Sequence, residues 1–328
     1  MTRHLKFAAP VAIAALTLSA SITQAADVKR DKPMAYSASN YHSENGAQFA
    51  KEVTEASGGK LEIVSHPGGS LFKGGEIFRA VRTGQAPIGE RLISALGNED
   101  PLFEIDSLPF LATSFADARK LYDATKPELQ KVLASKGLTL LYTVPWPPQG
   151  LYAKKEVNST AEMKGVTFRA YNAATSRLAE LMGAVPTKIE AAELSQAFAT
   201  GAVESMISSG STGYDRKLWE HATHWYNIQA WLPKNMVIVN NDAWAKLDEA
   251  TQKVVLEKAA EAETRGWAKA EELANWYVEE LAKNGMTVGP AGDQLKADFA
   301  KIGETMTTEW LAKAGDTGKA AVDAYKAK

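Results

Sequence analysis

Strand-like and helix-like patterns of apolar residues alternate along most of this chain. Between residues 42 and 57 apolar positions recur at helical spacing, and a pair of glycines ends the segment. Residues 61–65 then alternate apolar and polar side chains as a half-buried strand does. A helix is expected at 75–83, with short strands at 34–38 and 86–89. This alternation predicts an α/β fold.

Two proline-containing segments mark the places where the chain changes direction. The apolar run 138–144 leads directly into Pro145-Trp146-Pro147-Pro148, through which a central strand cannot continue. A second break at 232–235 precedes another strand pattern at 236–240. We expect the chain to cross between two lobes at both places, so the lobes are interleaved.

One very long helix is predicted near the C-terminus. Residues 249–283 contain no proline and a single glycine, Gly266. At about 1.5 Å per residue such a helix would extend for about 50 Å, which exceeds the usual helix of a globular lobe. It should therefore lie across both lobes. Another helix is expected at 294–312, and the lysine- and alanine-rich tail is either a last helix or frayed.

The N-terminus predicts export from the cytoplasm. Arg3 and Lys6 precede an apolar core at 7–18, and small residues follow near Ala25. This is the pattern of a secretory signal peptide, residues 1–25, because the apolar core is too short to span a bilayer. An uncleaved membrane anchor is the alternative. We expect a periplasmic protein.

Charge and cysteine content exclude several function classes. Without the two basic residues of the signal peptide the formal charge is (37 − 2) − 39 = −4, with lysines spread throughout the chain. The chain therefore has no concentrated basic patch of the kind that binds nucleic acid or a membrane surface. The absence of cysteine excludes thiol nucleophiles, thiolate metal sites and iron–sulfur clusters. Catalytic and metal chemistry has little other support, since no G-x-S-x-G elbow is present and His221 and His224 lack a third ligand at a recognisable spacing.

Arg169 is the residue that most directly suggests a function. It lies in a short strand pattern at 166–170 and is followed at once by Tyr171 and Asn172. A guanidinium where a strand gives way to a helix is well placed to hold a carboxylate with two parallel hydrogen bonds. The equally good alternative is a structural ion pair with a nearby acid. The candidates are Glu180, Glu190 and Glu193.

Aromatic residues are concentrated near the two crossings, where a ligand between lobes would be enclosed. For most of them core packing is the better interpretation, because indole rings have a large area to bury. Trp146, held among prolines, is as well suited to contact a ligand as to pack. The others are Trp219, Trp225, Tyr226 and Trp231.

Several motifs together resemble one family, the periplasmic solute-binding proteins of TRAP transporters, of the DctP type. The most specific are Phe-Arg-Ala-Tyr-Asn at 168–172, Gly-Ala-Val-Pro at 183–186 and Ala-Glu-Leu-Ser-Gln-Ala-Phe-Ala-Thr-Gly at 192–201. Pro-Gly-Gly-Ser-Leu at 67–71 and Leu-Pro-Phe-Leu at 108–111 add to the similarity, which covers essentially the whole mature chain.

The resemblance implies a Venus-flytrap fold, with two α/β lobes that close over a ligand, crossing strands and a long helix that spans both. Lobe I would comprise 26–146 plus 235–274, and lobe II would comprise 147–234 plus 275–328.

The resemblance also implies a set of ligand contacts. Arg169 would pair with the ligand carboxylate, Asn172 would add a hydrogen bond and Glu90 would reach ligand polar groups from lobe I. Gln149 stands where sialic-acid binders have a second arginine, and Ser208 where they have an asparagine, so Arg169 is expected to hold the ligand charge alone. Trp146 and Asn235, at the two crossings, complete the predicted site.

These expectations favour an aromatic or hydroxylated monocarboxylate as ligand, with a uronate or aldonate sugar acid as the alternative. Membrane subunits of a TRAP transporter would be the partners of a monomeric receptor that needs no cofactor or metal. A periplasmic enzyme on a similar scaffold and a binding protein of an ATP-driven transporter are the other possibilities. The sequence does not choose the ligand.

Overall fold

A computed structural model describes residues 28–327, so the predicted signal peptide, 1–25, lies outside the described residues. Its strands are β1 (Val28–Pro33), β2 (Leu61–His66), β3 (Ile88–Leu92), β4 (Leu138–Pro145), β5 (Gln149–Ala153), β6 (Thr167–Ala170), β7 (Val185–Lys188), β8 (Ser205–Ser209), β9 (His224–Asn227), β10 (Lys234–Asn240) and β11 (Thr287–Pro290). Its helices are α1 (Tyr41–Ala56), α2 (Ile77–Arg82), α3 (Phe115–Ser135), α4 (Ala173–Leu181), α5 (Leu194–Ala199), α6 (Gly210–Asp215), α7 (Asn241–Ala245), α8 (Glu249–Lys283) and α9 (Asp293–Lys326).

The first lobe contains a three-stranded antiparallel sheet, in the order β3-β10-β4, beside the parallel pair β1-β2. One face of the three-stranded sheet packs on α1 and α8 through Phe49, Val53 and Tyr142. The other packs on α2 and α3 through residues that include Ile77 and Leu133. Because both faces are covered, consecutive residues of β3 are buried on opposite sides of the sheet.

The second lobe contains a six-stranded mixed sheet in the order β11-β9-β5-β8-β6-β7. Strand β6 runs parallel to β7 and β8, whereas β5 runs antiparallel to β8 and β9. Phe168 of β6 and Leu178 of α4 are buried together with Phe299 of α9 in its core. A two-lobed α/β fold is thus confirmed.

The two crossings lie side by side. The first joins β4 to β5 through the proline cluster, and the second joins β9 to β10. The backbone N–H of Trp146 donates to the Pro233 carbonyl (2.8 Å), and the backbone N–H of Gln149 donates to the Trp231 carbonyl (3.0 Å). The paired segments connect the two lobes.

Both long C-terminal helices contact both lobes. The bounds of α8, Glu249–Lys283, coincide with those expected from the sequence, and the helix packs on α1 and β4 in the first lobe and on α6 in the second. Helix α9 packs on the second-lobe core around Phe299 and, beyond a break at Gly315 (φ 59°), on the first lobe around Leu121. The predicted lobe boundaries stay a prediction. Among the helices of residues 28–327, none combines the length and apolar character that crossing a membrane requires.

Some sequence-based expectations were wrong. The first strand is Val28–Pro33 rather than 34–38, because the charged segment pairs in parallel with β2 and places the Lys32 side chain inward. The strand expected at 86–89 begins at Ile88 and ends at Leu92. Helix α3, with Pro127 inside it, was not expected from the sequence. Of the two alternatives for the tail, the helix is confirmed, since α9 continues to Lys326.

Candidate ligand-binding site

A cavity that is partly open to solvent, with about 470 Å³ of empty space, lies between the two lobes, next to the crossings. Side chains from both lobes and from the crossing segments form its walls. They are Tyr36, Arg91, Leu92, Trp146, Gln149, Arg169, Tyr171, Glu190, Ala191, Ser208, Ser209, Thr212 and Pro233.

Arg169 lies in this cavity because of the alternation of β6. Phe168 points into the second-lobe core, so Arg169 points to the opposite face, with 4% of its surface exposed. Its Nε donates to the Ile189 carbonyl at 2.9 Å, and its guanidinium carbon lies 4.9 Å from the ring centroid of Tyr171. Burial lowers the pKa of this guanidinium. The side chain is oriented by one hydrogen bond and one stacking contact.

The alternative of a structural ion pair for Arg169 does not fit this arrangement. Within residues 28–327 no carboxylate oxygen lies within 4.0 Å of its guanidinium nitrogens. Glu180 instead pairs with Arg177 at 3.1 Å, and Glu190 approaches Arg91 at 3.7 Å. Arg169 is therefore a buried cation without a carboxylate partner among the described residues, which is a costly arrangement for a purely structural residue.

A second arginine, Arg91, lines the same cavity, so Arg169 is not the sole cation among the lining residues; that Arg169 alone holds the ligand charge stays a prediction. Arg91 belongs to β3 of the first lobe, is 5% exposed and extends towards Glu190 of the second lobe. The resemblance drew attention to Glu90, but consecutive residues of a strand point to opposite faces. The alternation of β3 was thus the signal that could have identified Arg91, because only one of the pair can face the cavity.

Gln149 and Ser208 line the cavity on adjacent strands, β5 and β8. The side-chain Nε2 of Gln149 donates to the Pro147 carbonyl (2.9 Å), and its Oε1 accepts from the Tyr171 hydroxyl (3.3 Å). The Tyr171 hydroxyl in turn accepts from the Trp231 indole at 3.0 Å. These bonds fix the side chains beneath Arg169 and leave few ways for them to rearrange.

Trp146 forms an apolar wall of the cavity and is 5% exposed. Its Nε1 donates to Asn235 Oδ1 at 2.9 Å, so its one polar group is directed away from the cavity. Its ring packs 4.2 Å from that of His42 and 4.7 Å from that of Tyr36, centroid to centroid. The other aromatic residues considered at the crossings pack in the second lobe and do not line the cavity.

Three further predicted site residues lie behind the cavity lining. Asn235 Nδ2 donates to Glu90 Oε1 (2.7 Å), and both side chains are buried on the far side of Trp146. Asn172 caps α4 by accepting from the Thr175 amide. Its Nδ2 donates across the lobes to Ser94 Oγ at 3.0 Å. Direct ligand contact by Glu90, Asn172 or Asn235 stays a prediction.

The side chains that sequence reasoning did not select come mostly from turns and helix ends. Tyr36 follows β1 and Glu190 precedes α5, while Ser209 caps the N-terminus of α6 and Thr212 lies in its first turn. No local pattern marks these positions, since they meet only when the lobes fold together. Their contribution is mainly polar, and Glu190 is the one carboxylate among the lining residues.

Residues 34–313 match the model of the DctP family, described as bacterial extracellular solute-binding protein, family 7. The chain belongs to this family. The match confirms the resemblance to TRAP solute-binding proteins that the motifs indicated.

Two solved structures are especially similar. One, from an unidentified marine microbe, is a TRAP solute-binding protein specific for pyroglutamate, in complex with co-purified pyroglutamate. It is 53% identical, covers 92% of this chain and 100% of its own, and has a TM-score of 0.91. The other is a Bordetella pertussis extracytoplasmic solute receptor that binds pyroglutamic acid, with 49% identity, coverage of 92% and 100%, and a TM-score of 0.90.

Among sequence relatives, a solute-binding protein of Albidiferax ferrireducens is 29% identical over 53% of this chain, and the chain spans 52% of that protein's length. A sialic acid-binding periplasmic protein of Vibrio cholerae is 23% identical over 76% of this chain and 78% of its own length. Relatives and structures alike are described as binding proteins.

Proposed function

We propose that this chain is the extracytoplasmic solute receptor of a TRAP transporter and that its ligand is pyroglutamate. The observation that carries the proposal is a cavity with two guanidinium groups in a chain 53% identical to a pyroglutamate-specific protein. On this proposal the receptor binds the acid between its lobes and delivers it to membrane subunits.

The charge of the cavity suits a monoanion. Arg91 and Arg169 contribute two positive charges and Glu190 one negative charge, which gives a formal sum of +1. A single carboxylate neutralises this sum, and it can accept two hydrogen bonds from one guanidinium fork. A zwitterionic amino acid would place its ammonium near two buried guanidinium groups. A dicarboxylate would bring its second charge close to Glu190.

The remaining surface suits a small ring with a few polar atoms. Trp146, Tyr36 and Tyr171 supply apolar walls, against which ring methylenes can lose their contact with water. Gln149, Ser208 and the second guanidinium supply hydrogen-bonding groups for a lactam N–H and carbonyl.

Closure follows from the way the lobes share the site. Arg91 comes from the first lobe, and Arg169 from the second, so a bound anion contacts both only when the lobes are together. Interactions made only in that arrangement shift the population towards it. Ligand occupancy would thereby be converted into a shape that the membrane subunits can recognise.

Pyroglutamate has neither an aromatic ring nor a hydroxyl, so it differs from the aromatic or hydroxylated acid expected from the sequence. That expectation stays a prediction. An indole wall also suits a benzoate ring or a sugar acid. These acids are therefore the appropriate competitors in a binding experiment.

Titration calorimetry on the purified receptor tests the proposal. The panel is L-pyroglutamate, L-proline, cyclopentanecarboxylate, benzoate, glucuronate and succinate. Proline keeps the ring but adds an ammonium, and cyclopentanecarboxylate keeps the charge but lacks the lactam. We expect pyroglutamate to bind most tightly, and at 100 times its Kd to stabilise the fold by about 2.7 kcal/mol. Tighter binding of benzoate or glucuronate would overturn the choice of ligand.

Prolonged incubation of the protein with pyroglutamate separates a receptor from an enzyme. We expect pyroglutamate to be recovered chemically intact, at one molecule per chain, after prolonged incubation with the protein. Detection of a glutamate or other product by mass spectrometry would contradict a receptor function.

A further inference from the structure

A chain of buried polar side chains lies behind Trp146, on the side away from the cavity. It runs from the indole through Asn235 and Glu90 towards Lys32 and joins β10, β3 and β1. Asn235, Glu90 and Lys32 are 1%, 3% and 0% exposed. Burying a lysine and a glutamate in the core of a lobe is costly, so their presence calls for an explanation beyond packing.

Hydrogen bonds give the amide of Asn235 a single orientation. Its Oδ1 accepts from Trp146 Nε1 at 2.9 Å, while its Nδ2 donates to Glu90 Oε1 at 2.7 Å. A flipped amide would set its NH₂ group against the indole N–H and its carbonyl oxygen against the carboxylate. An ionised Glu90, which can only accept, therefore dictates which end of Asn235 faces Trp146.

Lys32 supplies a nearby positive charge that favours the ionised form of Glu90. Both side chains lie beside Gly46 of α1, where a Cβ atom would overlap Lys32 Nζ and lie 3.4 Å from Glu90 Oε2. Lys32 Nζ has no hydrogen-bond partner among residues 28–327 and lies beyond 4.0 Å from the Glu90 carboxylate oxygens. Burial raises the pKa of Glu90, while the Lys32 charge and the Asn235 hydrogen bond lower it. Burial lowers the pKa of Lys32 to about 8, against the opposing effect of Glu90.

Two other titratable groups near Glu90 carry no charge near neutral pH. His42 Nδ1 lies 3.5 Å from Glu90 Oε1, and burial holds the pKa of His42 well below its usual range. Burial likewise raises the pKa of Tyr142, on β4, well above its usual value. Lys32 is thus the cation whose charge acts on Glu90.

We propose that Lys32, Glu90 and Asn235 are positioning residues: the Lys32 charge favours the ionised form of Glu90, and Glu90 fixes the Asn235 amide, which holds the Trp146 indole in place as the wall of the ligand cavity. The role in ligand affinity rests on the proposed function, whereas the effect on Trp146 itself does not. None of the three residues needs to touch the ligand.

The test uses four variants of the full receptor, Glu90→Gln, Lys32→Met, the double variant and Asn235→Ser, with Glu263→Gln as the matched control. Glu263 is another buried carboxylate of the first lobe, bonded to Tyr122 and to the Thr143 amide, and it has no contact with Trp146. Two quantities are measured: the indole ¹H–¹⁵N resonance of Trp146 in ligand-free protein, assigned with Trp146→Phe, and the Kd for pyroglutamate.

We expect Glu90→Gln, Lys32→Met and Asn235→Ser each to shift the Trp146 resonance and to weaken pyroglutamate binding about tenfold, a typical coupling between groups of one network. The double variant leaves no unpaired charge, so it should be more stable than either single charge variant, but it also lacks the acceptor-only carboxylate, so its Trp146 resonance should stay shifted and its Kd weakened. Glu263→Gln should lower the unfolding temperature yet leave the Trp146 resonance and Kd unchanged.

The proposal is overturned if Glu90→Gln and Lys32→Met behave like the control, with lower stability but an unchanged Trp146 resonance. If a single charge variant does not fold, the double variant and Asn235→Ser are used instead. An unchanged Trp146 resonance in Asn235→Ser would refute the positioning role of these residues. If the parent protein does not bind pyroglutamate, the proposed function fails, but the resonance of the ligand-free protein still decides the positioning role.

Discussion

Replacing Arg169 by methionine tests the site assignment through two opposite effects, on binding and on stability. Methionine keeps much of the apolar stem of arginine but loses the charge and all five donors. The Arg169 guanidinium is buried, has no carboxylate within 4.0 Å among residues 28–327, and makes one backbone hydrogen bond, to Ile189. The fold therefore gains little from this cation, whereas a bound anion would gain much.

The expected magnitudes follow from that environment. Truncating one partner of a buried charge pair costs about 2 to 5 kcal/mol, which corresponds to a Kd about 30-fold to 4,000-fold weaker. Loss of the bond to Ile189 costs about 1 kcal/mol, and it is offset because a cation no longer has to be desolvated. The ligand-free variant should thus unfold within about 4 °C of the parent protein.

Calorimetric titration and thermal unfolding measure both effects, with Arg177→Met as the control. Arg177 lies in the same lobe but is exposed and pairs with Glu180 and Glu309 at the surface. We expect the control to bind pyroglutamate as the parent does. If Arg169→Met kept its affinity, or lost it only together with its fold, the assignment of Arg169 as the carboxylate clamp would be wrong.

Four further outcomes are expected. Arg91→Met should weaken pyroglutamate binding by calorimetry, but by less than Arg169→Met, because Arg91 already approaches Glu190; an equal or larger loss would reverse the two roles. Glu190→Gln raises the formal charge of the cavity from +1 to +2, so the ratio of the succinate and pyroglutamate Kd values should fall, and an unchanged ratio would contradict the charge argument. Gly266→Ala should lower the unfolding temperature, although alanine usually favours a helix, because its Cβ would lie 2.9 Å from Asn45 Nδ2 and against Val144; a rise would show that this contact relaxes freely. The pKa of Lys32 in the folded protein is about 8, below its ordinary value of 10.5. Between pH 8 and 10.5 the unfolded state therefore binds more protons, so the contribution of Lys32 to the unfolding free energy should rise with pH. Denaturant titrations of Lys32→Met should lack this rise.

Much of the architecture was predictable because it depends on local patterns. Helix α8 was located from a long stretch without proline, and both crossings from prolines beside apolar strands. The first strand was misplaced because the charged segment Val28–Pro33 lacks an apolar pattern and is held by pairing with β2. Partners that are distant in sequence decide such segments.

The candidate site was only partly predictable for the same reason. Arg169 was identifiable from its own strand, and Trp146 from its prolines. Arg91 was missed although it adjoins Glu90, because the choice of which neighbour faces the cavity depends on how β3 packs between two layers. Glu190 lies in a turn that approaches the first lobe only in the folded protein.

A crystal structure of the receptor with bound pyroglutamate tests the central claim most directly. The account predicts the ligand in the cavity between the lobes, with its carboxylate about 2.8 Å from the guanidinium nitrogens of Arg169 and its ring against Trp146. A carboxylate that contacts neither Arg169 nor Arg91 would contradict it, as would a ligand bound outside this cavity.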